Sequence, residues 1–131
     1  MFGIEPVSKE DDEYRSYLAD GEFRCQKCLD CGHLRAPSQP ICPECLAEYY
    51  CWEPVSGVAI VETFTWYLKP FDDRCTQVPY NVALVRLSEG PRLITNIVDV
   101  SMNDLQVGLG VRARAVRGNQ GRPIVVFAPG T

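Results

Sequence analysis

Histidine is almost missing from this 131-residue chain, which holds His33 alone. A Ser–His or Cys–His pair would therefore have one base to draw on, and that base sits beside a cysteine knuckle. No G-x-S-x-G elbow, G-x-x-x-x-G-K-[ST] loop or G-x-G-x-x-G loop occurs, which removes the common acyl-transfer elbow and phosphate cradles. Long apolar runs are absent too, and nothing approaches the roughly 18 residues that suggest a membrane-spanning helix. Positive charge is scarce: 13 lysines and arginines face 17 acids, for a net charge of −4. That balance makes a poor footprint for nucleic-acid phosphates or an anionic bilayer, so nucleic acid ranks last among partners and no membrane is expected. Met1 to Arg15 is acidic and carries no apolar stretch with a cleavage site, so the expected compartment is the cytoplasm.

Cysteine is what the chain has in excess, with seven. The odd count, the reducing compartment and the C-x-x-C spacing of five of them point to metal before disulfides. Cys28-Leu29-Asp30-Cys31 and Cys42-Pro43-Glu44-Cys45 are two knuckles separated by ten residues. Each presents two sulfurs on one side of a tight bend, and two facing bends complete the tetrahedron zinc requires. Gly32 follows the first knuckle, where the chain must reverse and positive φ is easiest for glycine. Four thiolates leave no open position, so one structural zinc per chain is expected on Cys28, Cys31, Cys42 and Cys45. Cys25-Gln26-Lys27-Cys28 is an overlapping alternative pair, disfavoured by the position of Gly32. Cys51, beside Trp52, reads as a small buried hydrophobe and Cys75 as a loop thiol. A redox-sensing role for Cys25, Cys51 or Cys75 is a third, weaker functional reading. His33 reads as a surface or packing residue.

The pattern predicts a mainly β fold in three parts: an N-terminal helical segment over 1–24, a zinc ribbon over 25–51, and a five-stranded OB-fold barrel over 52–131. Residues 9–21 have Ser8 as N-cap, acids in the first turn and Gly21 as terminator. Tyr14, Tyr17 and Leu18 form one narrow apolar stripe, which must lean on the body of the chain or on a partner. Beyond Trp52, β-branched and aromatic residues fill 58–68, 81–87, 92–98, 110–116 and 123–127, with a short helix-like insert at 101–105. Five strands and one insert in about 75 residues suit a small closed barrel.

The order of motifs is specific. Phe23 leads into Cys28-x-x-Cys31-Gly32, then Ala36-Pro37, Pro40 and Cys42-Pro43-x-Cys45. Trp52-Glu53-Pro54-Val55-Ser56-Gly57, Pro79-Tyr80-Asn81, Glu89-Gly90-Pro91 through Thr95-Asn96, and Val107-Gly108 follow. This resembles the acyl-CoA-associated OB-fold family whose members carry an N-terminal rubredoxin-like zinc ribbon. The resemblance runs from about Asp20 to Phe127, and that family uses the Cys28/Cys31-type pair. Its members are small partners of thiolase-superfamily and related enzymes, among them benzoylsuccinyl-CoA thiolase and steroid side-chain aldolases and hydratases. The resemblance implies a non-catalytic accessory subunit of a thiolase-like, acyl-CoA-processing complex, in which the chain supports its partner and helps to bind or shield a coenzyme A thioester. The extra Cys25, Cys51 and Cys75 depart from the general pattern.

Two sets of residues are candidates for partner or acyl-CoA contact. Trp66, Phe71 and Tyr80 belong to an aromatic stretch in which alternation divides Phe64 and Trp66 from Thr65 and Tyr67. One set fills the barrel, and the other, with Phe71 and Tyr80, offers an apolar contact surface. Arg112 and Arg114 share a strand face, with Arg117 and Arg122 nearby, and could meet coenzyme A phosphates. The plainer reading is a solvated face. The same arginines carry the alternative function, a stand-alone OB module binding single-stranded nucleic acid.

Overall fold

A computed structural model describes residues 8–69, 78–118 and 121–130. The elements are α1 (Lys9–Ala19), β1 (Arg24–Cys28), β2 (Leu34–Arg35), β3 (Tyr50–Pro54), β4 (Val58–Tyr67), β5 (Tyr80–Leu87), β6 (Arg92–Thr95), β7 (Gly110–Arg117) and β8 (Pro123–Pro129). Two compact units result. One comprises 1–56, 89–91 and 115–124, the other 57–88, 92–114 and 125–131.

The first unit is a three-stranded antiparallel sheet, ordered β2-β1-β3, with α1 against it. Ser8 caps the helix by accepting the Asp11 N–H at 3.0 Å, which satisfies one of the orphan donors of the first turn. Two of the three acids of that turn are paired: Arg15 meets Asp11 at 2.9 Å, and Arg122 reaches Asp11 and Asp12 at 3.5 and 3.6 Å. The helix ends at Ala19, where Gly21 takes φ of 81°. Eleven residues would be marginal alone in water. What holds α1 is Trp52: Tyr14 stacks on it at 6.2 Å, Tyr17 tilts against it at 5.9 Å, and Tyr50 meets it edge-on at 5.8 Å. Each such aromatic pair adds about 0.5–1.5 kcal/mol beyond its buried area. The apolar stripe of the helix thus packs on its own chain. Glu13 completes the seam, accepting from the Tyr50 hydroxyl at 2.6 Å and the Trp52 indole N–H at 3.0 Å.

The second unit is built on a five-stranded sheet, ordered β6-β5-β4-β7-β8. Its two edges meet again where Ile97 and Phe127 form a parallel bridge, with Phe127 N–H on the Asn96 carbonyl at 3.1 Å and Val98 N–H on the Phe127 carbonyl at 2.8 Å. Antiparallel neighbours closed by one parallel contact give the expected OB barrel. Ala59, Val61, Ala83, Val85, Leu87, Val111 and Phe127 fill it, each at most 2% exposed. Residues 101–105 form a single turn rather than a helix: Ser101 accepts from Asp104 and Leu105, and Leu105 is buried as its plug. Gly57 is required twice over, since it has φ of 81° and an added Cβ would lie 2.9 Å from that of Ala113.

Asn81 is the polar clasp of the barrel. Its amide donates to the Ile97 carbonyl at 2.8 Å and accepts the Ile97 N–H at 2.7 Å, while Asn96 donates back to the Asn81 carbonyl. Both motif asparagines therefore secure the segment that closes the sheet. Asn81→Ala orphans a buried backbone N–H and C=O and should cost about 2 kcal/mol in denaturant unfolding. In the first unit, the Tyr50 hydroxyl holds the Glu13 carboxyl below its ordinary value of 4.5, with Trp52 adding to it and burial opposing it. A carboxyl depressed by folding stabilises the native state above its unfolded value. That contribution fades as pH falls through the lower, folded one. Glu13→Gln should flatten the acid limb of the stability profile below pH about 4.5.

Candidate metal centre and binding surfaces

Two short bends bring the four cysteine sulfurs together, and the bends repeat the same backbone pattern. In the first, Gly32 N–H donates to the Cys28 carbonyl at 3.0 Å and Cys28 N–H to the His33 carbonyl at 2.9 Å. In the second, Leu46 N–H donates to the Cys42 carbonyl and Cys42 N–H to the Ala47 carbonyl, both at 2.9 Å. Gly32 and Leu46 occupy equivalent positions at φ of 80° and 66°. A leucine in the left-handed region costs roughly 1 kcal/mol. Leu46 was not legible as a special position, since no turn residue marks it.

The Sγ atoms of Cys28, Cys31, Cys42 and Cys45 all lie within 4.8 Å of one another. Cys28 and Cys45 are 3.5 Å apart, and Cys31 and Cys42 are 3.7 Å apart. A tetrahedron with zinc–sulfur bonds of about 2.3 Å has edges of about 3.8 Å, so the donor set fits zinc in both chemistry and spacing. Cys28 is pulled down to about 6, first by the Cys31 backbone N–H. Four thiolates so close cannot all ionise unless a cation neutralises them.

Around the cluster, a polar network fixes the loop between the knuckles. Gln26, fully buried, donates to the Gln39 carbonyl at 3.0 Å and accepts the Gln39 N–H at 2.8 Å. Arg35, 2% exposed, donates to the same carbonyl at 3.1 Å and lies over the Tyr50 ring. Neither buried residue stood out in the sequence, because a lone glutamine or arginine carries no spacing signal.

The remaining cysteines divide. Cys25 is fully buried outside the cluster, and burial, with the Glu89 charge behind it, pushes its thiol up to about 12. The overlapping Cys25/Cys28 pair is therefore not the one assembled. Cys51 corrects an expectation, being exposed rather than buried. It lies opposite Lys27, on the face of β3 turned away from α1, while its neighbours Tyr50 and Trp52 take the helix side. Cys75 lies outside the described residues, as does Phe71.

The other contact candidates do not converge. Trp66 pairs with Asn81 and Tyr67 with Tyr80 at one end of β4, whereas Arg112 pairs with Val58 at the other. Eight residues of strand separate those ends by about 25 Å. A β-bulge between Val61 and Thr63 shifts the alternation, so Ala59 and Val61 face inward before it and Phe64 and Trp66 after it. Trp66 is half-buried, and its indole N–H is enclosed without a hydrogen-bond partner among the described residues. Tyr67 and Tyr80 stack at 4.9 Å. Of the arginines, Arg114 binds Asp99 at 2.8 Å, Arg117 donates to the Gly121 carbonyl at 3.0 Å, and Arg122 serves the helix acids. They form no common basic groove among the described residues.

With this geometry the comparisons agree. Residues 15–48 match the family model of the ChsH2 rubredoxin-like zinc ribbon domain, and residues 52–116 match that of the ChsH2 C-terminal OB-fold domain. The chain belongs to this DUF35 family. Along 97% of its length it superposes on all of a chain from the Ltp2-ChsH2(DUF35) aldolase, with a TM-score of 0.84 and 26% identity. It is 36% identical over 83 residues to a DUF35 domain-containing scaffold protein of Methanothermobacter thermautotrophicus, covering 63% of this chain and 62% of that one. Over 105 residues it is 30% identical to a protein of Thermomonospora curvata named as a probable enoyl-CoA hydratase alpha subunit. That match covers 79% of this chain and 32% of the relative, so the DUF35 chain here spans about a third of that protein's length.

The knuckle symmetry makes a paired prediction. Leu46→Gly should raise the stability of the zinc-loaded protein by about 1 kcal/mol, and Gly32→Ala should lower it by a similar amount. Thermal unfolding at fixed zinc checks both. Equal shifts of the same sign would show that the two bends are not equivalent.

Proposed function

We propose that this protein is a non-catalytic, zinc-binding accessory subunit of an acyl-CoA-processing enzyme complex, with a thiolase-like catalytic subunit as partner. The observation that carries this reading is the whole-length likeness, ribbon and barrel together, to the DUF35 chain of an aldolase complex. The scaffold and hydratase-subunit names of the other relatives support the same class of role. Cys28, Cys31, Cys42 and Cys45 would hold one zinc ion. When bound, the ion supplies charge neutralisation and a cross-link for loops too short to bury a core. With all four thiolates on it, such an ion would hold the ribbon rigid and would leave no open position for turnover chemistry. A coenzyme A thioester could contact the chain at Trp66, Phe71 and Tyr80 or at Arg112 and Arg114. The separation of Trp66 and Tyr80 from Arg112 along β4 makes a single site shared by those three residues unfavourable. The cytoplasm suits the reading, since reduced thiolates persist there, and the chain would divide into a helical segment over 1–24, a zinc ribbon over 25–51 and an OB-fold domain over 52–131.

The test is affinity purification of the tagged protein from its native extract, with proteins identified by peptide mass and zinc counted. One zinc per chain and a stoichiometric thiolase-like subunit are expected. Recovery of single-stranded nucleic acid without such a subunit would replace the proposal with the nucleic-acid reading. A thiol-sensing role would instead show as a functional change on mild oxidation.

A further inference from the structure

Strand β5 is apolar in both phases. Ala83, Val85 and Leu87 fill the barrel, and Val82 and Leu84 between them point the other way and are half-exposed. A strand of that pattern belongs between two covered faces, whereas a solvated antiparallel face alternates apolar with polar residues. The register extends the outer face across three strands: Leu84 lies opposite Ile94, and Arg86 lies opposite both Ile60 and Arg92. Ile94 is 78% exposed and Ile60 39%. Val82, Leu84 and Ile94 are thus neighbouring apolar side chains on this face, and Ile60 lies beside Arg86 in the adjoining row.

Charge borders these side chains. The Glu62 carboxylate takes Arg92 Nε at 2.9 Å and Arg86 Nε at 3.5 Å. Two guanidinium groups on one carboxylate leave a net positive charge, and the two arginine side chains are 60% and 48% exposed. Because both ion pairs engage Nε, the terminal amino groups of each fork remain suited to an outside carboxylate.

We infer that this outer face of β4, β5 and β6 docks the catalytic subunit through an apolar patch that carries a carboxylate. The inference rests on the accessory-subunit reading and names the surface that reading leaves open. An apolar side chain at Ile94 would be the central anchor, and Arg86 and Arg92 the polar rim that sets orientation.

A photoreactive benzoylphenylalanine at Ile94 of the full chain, produced in its native cells, tests this, with a second label at Leu46 on the zinc ribbon for comparison. Adducts at position 94 to an acyl-CoA-processing subunit, identified by peptide mass, are expected. Ile94→Asp should then reduce partner recovered per zinc by about tenfold or more, with the thermal midpoint and zinc content unchanged. If the partner co-purifies but position 94 yields no adduct to it, or yields adducts only to a second copy or to this chain's own ribbon, the docking inference is overturned and the accessory role stands. If no acyl-CoA-processing subunit accompanies the unlabelled wild type, the role itself fails and the inference goes with it.

Discussion

Four thiolates gathered within 4.8 Å are the constraint on which the first unit depends. Strands β1 and β3 frame the knuckles, and Cys28 is itself the last residue of β1. Without charge neutralisation the four sulfurs repel one another, and the loop from Ala36 to Ile41 is left to the Gln26 and Arg35 contacts and to the Ser38 hydroxyl, which donates to Asp11 at 3.3 Å. With a cation, the bends become a rigid end to a sheet whose other face carries the helix. The aromatic seam around Trp52 then supplies what a small three-stranded sheet lacks, a buried apolar surface of its own.

The second unit solves a different problem. A five-stranded sheet has two edges, and an open edge invites pairing with other chains. The Ile97–Phe127 bridge and the Asn81 amide remove part of that liability by joining the edges. Closure covers the inner face only. The outer face stays apolar at Ile60, Leu84 and Ile94, which a solitary barrel has no reason to maintain.

Much of this was legible in order along the chain. The knuckles, the helix with its Ser8 cap and the five strands all follow from local spacing. Cap chemistry, turn residues and C-x-x-C geometry act over a few residues, so a linear reading captures them. Arg112, Arg114, Arg117 and Arg122 looked like one cluster for the same reason, proximity in sequence. Folding gave most of them separate acceptors: Asp99, the Gly121 carbonyl and the helix acids. Cys51 was misjudged because its side follows from pairing with β1, which no neighbour in sequence reveals.

By itself the sequence determined the cysteine spacing, the element order and the family, because each is written in residue types at short, fixed separations. Tertiary structure alone decided which face each side chain serves. The bulge after Val61 reverses the phase of β4, so it is pairing with β5 that puts Phe64 and Trp66 inside. The same register brings Ile60, Leu84 and Ile94, three residues far apart in the chain, onto one outer face. A period of two tells which residues share a face, but only long-range hydrogen bonding fixes which face meets the core.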